Sequence, residues 1–215
     1  QMRTRIKRFL KQRTEMLAGV SHDLRTPLTR MKLQISLMKD EKAKSELEVD
    51  VNEMTSMLDS YVSFVKTESP EPIETIIINE LIGDIIKTVE KNGAELTIKE
   101  KNTIQTSGRQ IQLKRAFNNI IDNSKRYAKK IEIILYTNEK DCVIEFNDNG
   151  EGIPRDKYED VFKPFFTLDP SRNKLKGESG LGLTITRDII RSHGGDVKLS
   201  DSNLGGLQLK VLLPL

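Results

Sequence analysis

The chain has few of the residues that mark several common protein classes. Cys142 is the only cysteine among 215 residues, so no disulfide can form within the chain. Its alternation with Ile144 and Phe146 predicts a small core residue on one strand face, in a reducing compartment. No apolar run approaches the length of a membrane span and no signal peptide opens the chain, so we expect this stretch to be soluble. Internal repeats and low-complexity tracts are also absent.

A global excess of basic charge is missing as well. The chain has 35 lysines and arginines against 32 acidic residues, a net charge of +3, which does not favour a dedicated nucleic-acid binder. The segment 3–13 is locally basic, which fits proximity to anionic lipid but is more typical of a solvated helix face. The length of 215 residues is sufficient for two domains.

A heptad pattern covers the first part of the chain. Leu28 and Ile35 occupy one seam position, and the other recurs every seven residues at Leu10, Leu17, Leu24, Met31 and Met38. After a polar turn predicted at 39–44, a second heptad helix contains Leu47, Val51, Met54, Leu58, Tyr61 and Val65. The apolar stripe of this all-α hairpin is too wide for one partner, so we expect a homodimeric four-helix bundle. A monomeric hairpin packed on the following domain is the alternative.

The segment 68–72, Glu-Ser-Pro-Glu-Pro, marks a change of pattern. Its two prolines and lack of hydrophobic period indicate a linker between a first domain at 1–67 and a second at 73–215. Hydrophobic periodicity in the second domain predicts helices at 81–89, 110–128 and 181–192. Strands are predicted at 95–101, 131–137, 142–147, 196–200 and 207–213. These elements predict an α+β layer sandwich.

The segment 21–29, Ser-His-Asp-Leu-Arg-Thr-Pro-Leu-Thr, puts a histidine, a carboxylate and a hydroxyl on one helical surface. On the heptad frame His22 falls at b and Thr26 at f, so both face water, one turn apart. Pro27 lacks the N–H that would bond the carbonyl of Asp23, which predicts a bend beside His22. An exposed histidine is usually an ordinary surface residue, but the adjacent acid, the threonine and the retained proline favour a phosphorylation site.

Two short motifs of the second domain combine polar side chains with glycine. Asn119 and Asn123 share one helix face, and amide oxygens suit a Mg²⁺ ion that is shared with phosphates, although such a pair is more often a solvated face. Asp148 follows a strand and precedes Gly150 and Gly152. A buried carboxylate there can accept a hydrogen bond from an exocyclic amino group such as that of adenine. Asp-Asn-Gly is also ordinary turn chemistry.

A third motif opens the helix predicted at 181–192. Gly180 and Gly182 can expose the first backbone N–H groups to phosphates at the positive end of the helix dipole. The motif is not a P-loop, because no Gly-Lys-Ser/Thr follows. The polar segment 167–179, which contains Arg172, is predicted to form a mobile lid over the phosphates.

Together, these motifs resemble a known family. Their order resembles the N, G1, F and G2 boxes of the GHKL (Bergerat) ATP-binding fold of histidine kinases, gyrase and Hsp90-type ATPases, and 21–29 resembles the H-box of sensor histidine kinases. The chain is thus similar to the cytoplasmic core of an EnvZ-like bacterial sensor kinase. The resemblance implies that His22 accepts the γ-phosphoryl group of ATP, that Asp23 acts as base, and that Thr26 serves the reverse phosphatase reaction. It implies that Asn119 and Asn123 hold Mg²⁺.

The resemblance also implies the remainder of the nucleotide site. Asp148 is expected to recognise adenine, and Arg172 to contact phosphate, because Leu168 stands where many relatives carry arginine. Leu207 stands where many relatives carry threonine, so one hydrogen bond near adenine is expected to be absent. The other residues expected to bind ATP are Arg126, Tyr127, Gly150, Gly152, Ile153, Phe162, Gly180, Leu181, Gly182 and Leu183.

On this resemblance the protein is expected to be a two-component histidine kinase that passes its phosphoryl group to an aspartate of an OmpR-like response regulator docked near His22. We expect it to be the cytoplasmic part of an inner-membrane sensor, with its membrane segments outside this chain, and to bind no nucleic acid directly. Two alternatives remain open. One is an ATP-gated conformational clamp of the gyrase or Hsp90 kind, and the other is a dimeric signalling scaffold that binds ATP without turnover.

Overall fold

The computed structural model describes residues 23–65, 71–89, 95–168 and 180–215. By its internal contacts the chain divides into two units: Gln1–Ser69 with Phe165–Leu181, and Pro70–Pro164 with Gly182–Leu215. Across the described ranges, no helix combines the length and the apolar character that a membrane crossing requires.

The first unit contains a helical hairpin. Residues 23–36 are helical and are called α1, and α2 spans Glu41–Val65. The turn between them is shorter than the predicted 39–44, because Asp40 caps α2. Its Oδ1 atom accepts hydrogen bonds from the backbone N–H groups of Lys42 at 3.0 Å and Ala43 at 3.2 Å. The cap lets α2 begin within the stretch that the sequence pattern assigned to the turn.

The hairpin buries only part of its apolar stripe. Leu28, Ile35 and Val51 are buried together, and Met38 and Leu58 pack against them. A second set of predicted seam residues stays 41–51% exposed, namely Leu24, Met31, Leu47 and Met54. The stripe is therefore wider than the contact within one hairpin, as the sequence pattern predicts.

The second unit mixes helices and strands. In chain order its described elements are β1 (Glu74–Ile77), α3 (Ile78–Val89), β2 (Glu95–Glu100), β3 (Gln105–Gly108), α4 (Gln110–Tyr127), β4 (Lys130–Thr137), β5 (Asp141–Asp148), α5 (Gly182–Ser192), β6 (Asp196–Asp201) and β7 (Leu207–Pro214). Short 3₁₀ turns lie at Arg155–Lys157 and Asp160–Phe162. Five strands form one sheet in the order β2-β4-β5-β7-β6, in which β2 and β4 are parallel and the other neighbours antiparallel.

One face of this sheet forms the core. Alternate residues of β4, namely Ile131, Ile133 and Leu135, are fully buried, as the two-residue period of a half-covered strand requires. The helices supply the other layer: Phe117 of α4 packs against Phe146 of β5 with ring centroids 6.1 Å apart. The predicted α+β layer sandwich is confirmed.

The opposite face of the sheet carries a polar network. The Glu145 carboxylate accepts hydrogen bonds from the Tyr136 hydroxyl at 2.8 Å and pairs with the Lys210 ammonium at 2.8 Å. The hydrogen bond to Glu145 raises the pKa of Lys210, and burial, reinforced by Glu145, raises the pKa of Tyr136. These pairs satisfy the charge of a carboxylate on a central strand.

The structure contains a second, smaller sheet that the hydrophobic pattern does not predict. Strands β1 and β3 pair antiparallel, with Glu74 opposite Gly108. Each has four residues, which is too short for a clear alternating pattern, and tertiary contacts stabilise them instead. Thr106 of β3 is buried, and its hydroxyl donates to the carbonyl of Pro214 at 2.7 Å.

Helix α3 begins three residues before the predicted segment 81–89. Ile78 is fully buried and its N–H bonds the carbonyl of Ile104 at 3.0 Å, while Asn79 accepts the N–H of Ile104 at 2.8 Å. These long-range contacts fix the first turn of α3. The other predicted helices and strands of this unit agree with the structure to within one residue at each end.

Candidate functional site

Helix α4 presents Asn119 and Asn123 at the edge of its buried face. Both are half-buried beside a core that includes Ala116, Ile120 and Ile121. The Asn119 amide nitrogen donates to the carbonyl of Gly182, the first residue of α5, at 3.3 Å. The amide nitrogen of Asn119 is thus engaged with the protein, and its amide oxygen is the atom that could act as a ligand. The structure thus brings together two of the predicted site residues, Asn119 and Gly182.

Asp148 ends β5 as a buried carboxylate, with 5% of its surface exposed. Its Oδ1 atom accepts hydrogen bonds from the backbone N–H groups of Gly150 at 2.9 Å and Leu207 at 3.0 Å. Among the described residues, both hydrogen bonds to this carboxylate end on Oδ1, which leaves Oδ2 as an acceptor for a bound group. The side chain is therefore held in one orientation with one oxygen available.

Gly206 makes the close approach that this arrangement needs. Its N–H donates to the backbone carbonyl of Asp148 at 3.1 Å. A Cβ atom at position 206 would overlap Oδ1 of Asp148 and the backbone nitrogen of Gly150. Gly206 is not among the predicted site residues. Its one signal in the sequence is the Gly-Gly pair that precedes the last strand.

Asn149 fixes the turn that follows Asp148 and was also missed. Its Oδ1 accepts the N–H groups of Lys129 at 3.0 Å and Lys130 at 2.9 Å, and its own N–H donates to the carbonyl of Lys130. These bonds tie the turn to the start of β4. Gly152 and Ile153 continue from this turn as half-buried residues in an irregular segment.

The remaining predicted nucleotide-binding residues of this unit differ in solvent exposure. Arg126 and Tyr127 are exposed in the last turn of α4, whereas Phe162 is buried. The Arg187 guanidinium lies 4.4 Å from the centre of the Phe162 ring, and the Phe162 carbonyl accepts the hydroxyl of Thr184 at 2.9 Å. Phe162 thus anchors α5, on which Leu183 is half-buried.

Gly180 and Leu181 belong to the first unit. Gly180 has a φ of +63°, and an added Cβ would lie 2.8 Å from the Cα atom of Phe165, so a larger residue does not fit. The N–H of Phe165 donates to the Gly180 carbonyl at 3.0 Å. Leu181 is buried and Leu168 is exposed. The predicted lid residue Arg172 lies outside the described residues.

The predicted phosphorylation segment is described from Asp23 onwards. Thr26 is exposed on α1, as the heptad frame predicts, and Asp23 is exposed as well. Pro27 lies within the helix. His22 and the bend predicted beside it lie outside the described residues.

Comparison with protein families assigns both parts of the chain. Residues 108–215 match the family described as histidine kinase-, DNA gyrase B-, and HSP90-like ATPase. Residues 12–69 match the His Kinase A (phospho-acceptor) domain. The first match spans Asn119, Asp148 and Gly206, and the second spans His22.

Curated relatives resemble the chain along its whole length. The sensor histidine kinase GtrS of Pseudomonas aeruginosa is 32% identical over 215 residues, which cover 99% of this chain and 44% of GtrS. The sensor histidine kinase CpxA of Escherichia coli is 31% identical over 227 residues, which cover all of this chain and 50% of CpxA. The chain spans about half the length of the curated relatives that it matches.

Solved structures share the fold. The mycobacterial sensor histidine kinase MprB matches with a TM-score of 0.59 and 24% identity, covering 66% of this chain and 97% of that one. Full-length ShkA in complex with AMPPNP matches with a TM-score of 0.71 and 16% identity, covering 94% of this chain and 46% of that one.

Proposed function

The chain belongs to the family of histidine kinase-, DNA gyrase B-, and HSP90-like ATPases, and on that premise we propose that it is an ATP-dependent histidine kinase of a two-component system. The observation that supports this most directly is that one chain combines this ATPase domain with a phospho-acceptor domain whose matched residues include His22. The proposed reaction transfers the γ-phosphoryl group of ATP to His22.

Asp148 supports adenine binding in this proposal. Its carboxylate is buried and oriented by Gly150 and Leu207, and Oδ2 can accept a hydrogen bond from the exocyclic amino group of the base. A buried carboxylate discriminates against a base that presents an acceptor at that position, because the two acceptors would repel each other. We therefore propose ATP rather than GTP as the phosphoryl donor.

Asn119 and Asn123 are proposed to hold Mg²⁺. Within the described ranges no group of three or more histidine, cysteine, aspartate or glutamate side chains could hold a metal ion. The two amides fit a Mg²⁺ ion that keeps several waters and shares its coordination with phosphate oxygens. When bound, the ion would neutralise charge on the transferring phosphoryl group. The N-terminus of α5 at Gly182 supplies backbone N–H groups for the same phosphates.

His22 is proposed as the nucleophile. An unprotonated imidazole nitrogen attacks the γ-phosphorus in line, a nitrogen–phosphorus bond forms, and the bond to the bridging oxygen of ADP breaks. Asp23 accepts or orients the proton on the ring, which its adjacent, exposed position on α1 allows. The phosphoramidate product then passes its phosphoryl group to an aspartate of an OmpR-like response regulator, and Thr26 serves the reverse phosphatase reaction.

The exposed apolar stripe of the hairpin supports a homodimer. A second hairpin would cover Leu24, Met31, Leu47 and Met54 and complete a four-helix bundle. From the likeness to sensor kinases, we also propose that the chain is the cytoplasmic part of an inner-membrane sensor protein.

The chemistry of protein-bound phosphate tests the proposal. The purified chain is incubated with γ-labelled ATP and Mg²⁺, and the retained label is treated with acid and with alkali. A histidine kinase retains label that is labile to acid and stable to alkali. ATP hydrolysis without retained label would instead indicate a conformational clamp, and nucleotide binding without hydrolysis or label would indicate a scaffold.

A further inference from the structure

The N-terminus of α4 is capped by a residue from far upstream. Arg109, at the N-cap position, makes no side-chain capping bond. Instead the Glu71 carboxylate accepts the backbone N–H of Ile111 through Oε1 at 2.5 Å and that of Gln112 through Oε2 at 3.3 Å. One side chain thereby satisfies two of the N–H groups that the first turn of a helix leaves without a partner in the helix.

Charge and geometry both favour the contact between Glu71 and the start of α4. A carboxylate at the positive end of the helix dipole is favourable, and two hydrogen bonds to adjacent N–H groups fix the carboxylate relative to the helix axis. The N–H of Arg109 is taken by a second group, Nε2 of His193 at the end of α5, at 3.0 Å. The start of α4 is therefore held both by Glu71 and by the helix that begins at Gly182.

Glu71 lies in residues 71–73, here called the connecting segment, which directly precede β1. It lies six residues after Val65, the last residue of α2, and three before Glu74, the first residue of β1. Along α4, Asn119 and Asn123 follow Gln112 by seven and eleven residues, about 10 and 16 Å at the rise of an α-helix. The same rigid element therefore carries the Glu71 contact and both proposed Mg²⁺ ligands.

We propose that Glu71 is a positioning residue of the nucleotide site: its double hydrogen bond couples the connecting segment to the helix that presents Asn119 and Asn123. The proposal rests on the nucleotide site of the proposed function. A shift of the connecting segment then changes the position of α4 and the affinity for nucleotide. By thermodynamic linkage, bound nucleotide must stabilise the Glu71 contact by the same factor.

The test compares two reciprocal measurements on the full 215-residue chain. The first is the affinity for a non-hydrolysable ATP analogue with Mg²⁺, measured for the wild type and for Glu71→Ala, Glu71→Gln and Glu74→Ala. The second is the hydrogen exchange of the Ile111 and Gln112 amides in the wild type, with and without the analogue. Glu74 is the matched control, because it is an exposed glutamate three residues further along.

Glu71→Ala is expected to weaken analogue binding about fivefold, and saturating analogue to slow exchange of the two amides by a similar factor. Glu71→Gln keeps the reach but has one acceptor oxygen and no charge, so its affinity should fall between those of the wild type and Glu71→Ala. Glu74→Ala should bind like the wild type. All affinities are measured at a temperature well below the thermal unfolding midpoint of each variant, so that every variant is folded during the measurement.

Wild-type affinity in folded Glu71→Ala, or amide exchange that the analogue does not change, would overturn the positioning role and leave a cap that serves stability alone. These two measurements need no phosphoryl transfer. Reciprocal coupling without labelling of His22 would therefore support the role of Glu71 and contradict the kinase activity, whereas a wild type that does not bind the analogue would contradict both.

Discussion

Leu207 donates its backbone N–H to Oδ1 of Asp148 across 3.0 Å, in a buried hydrogen bond between residues 59 positions apart in the chain. This bond joins the start of β7 to the end of β5 and aims the carboxylate of Asp148. Its geometry depends on Gly206, whose backbone lies against the same carboxylate.

Gly206→Ala is expected to weaken ATP binding by about fivefold or more. The new methyl group would displace Oδ1 of Asp148 or the Gly150 backbone, and overpacking of this kind costs about 1–3 kcal/mol. Titration with an ATP analogue measures the effect. Gly83→Ala is the matched control, because an added Cβ there meets no atom within 4 Å. Equal affinities for the two variants would contradict the assigned role of Gly206.

Asn123→Asp is expected to reduce phosphoryl transfer strongly while the protein stays folded. A carboxylate at this position adds negative charge beside the proposed metal and phosphates and changes the ligand geometry. The initial rate of label incorporation checks this. Asn118→Asp makes the same charge change five residues earlier on α4, turned well away around the helix, and should stay within about twofold of the wild type. A similar loss in both variants would indicate an effect on the helix rather than on the site.

His193 is expected to make the stability of the second unit depend on pH. Burial lowers the pKa of His193, reinforced by nearby Arg109 and opposed by the hydrogen bond to the Ile189 carbonyl and by Glu71. The neutral ring donates from Nδ1 to Ile189 at 2.7 Å and accepts from Arg109 through Nε2.

Because the unfolded chain has the higher pKa, about 6.5, it binds more protons at mildly acidic pH. The contribution of His193 to the free energy of unfolding is therefore complete above the unfolded pKa. It is lost as the pH falls through the lower pKa of the folded state. Chemical denaturation at pH 7.5 and at pH 5.5 should show a decrease in the free energy of unfolding in the wild type and a smaller one in His193→Gln. His22→Gln, which changes the other histidine of the chain, should keep the wild-type dependence.

Thr26→Ala is expected to separate two activities. Thr26 is exposed one turn from the position of His22, so its hydroxyl can orient a water against the phospho-aspartate of a docked regulator, a water that phosphorylation of His22 does not need. Autophosphorylation should be unchanged and dephosphorylation of the regulator slowed, measured as decay of purified phospho-regulator. Thr29→Ala is the control, since its hydroxyl is bonded to the carbonyl of Arg25. Equal decay rates for Thr26→Ala and the wild type would remove Thr26 from the phosphatase reaction.

Sequence periodicity predicted most of the second unit because its strands and helices bury one face each. The alternation of Ile131, Ile133 and Leu135 predicted β4, and the helical pattern of α4 correctly predicted its first residue, Gln110. Asp148 was a candidate because a carboxylate followed by two glycines comes directly after a strand, and the structure shows that it is buried. The contacts that orient it were not predictable, since they depend on backbone groups of Gly206 and Leu207, which only the folded sheet brings near.

The capping of α4 by Glu71 could not be predicted either, because the contact forms only in the folded structure. A local N-cap can be recognised in the sequence, as Asp40 before α2 shows, whereas Glu71 reaches α4 from 40 residues away. The short strands β1 and β3, which lie between Glu71 and α4 in the chain together with α3 and β2, lacked the length that a periodic pattern needs.

The most direct test of the central claim is the position of the protein-bound phosphate. The chain has two histidines, so His22→Gln and His193→Gln together cover every possible phosphohistidine. After incubation with γ-labelled ATP and Mg²⁺, His22→Gln should carry no acid-labile label although it binds nucleotide like the wild type, and His193→Gln should still be labelled, because both ring nitrogens of His193 are engaged within the fold. Acid-labile label on His22→Gln, at the level of the wild type, would contradict the account.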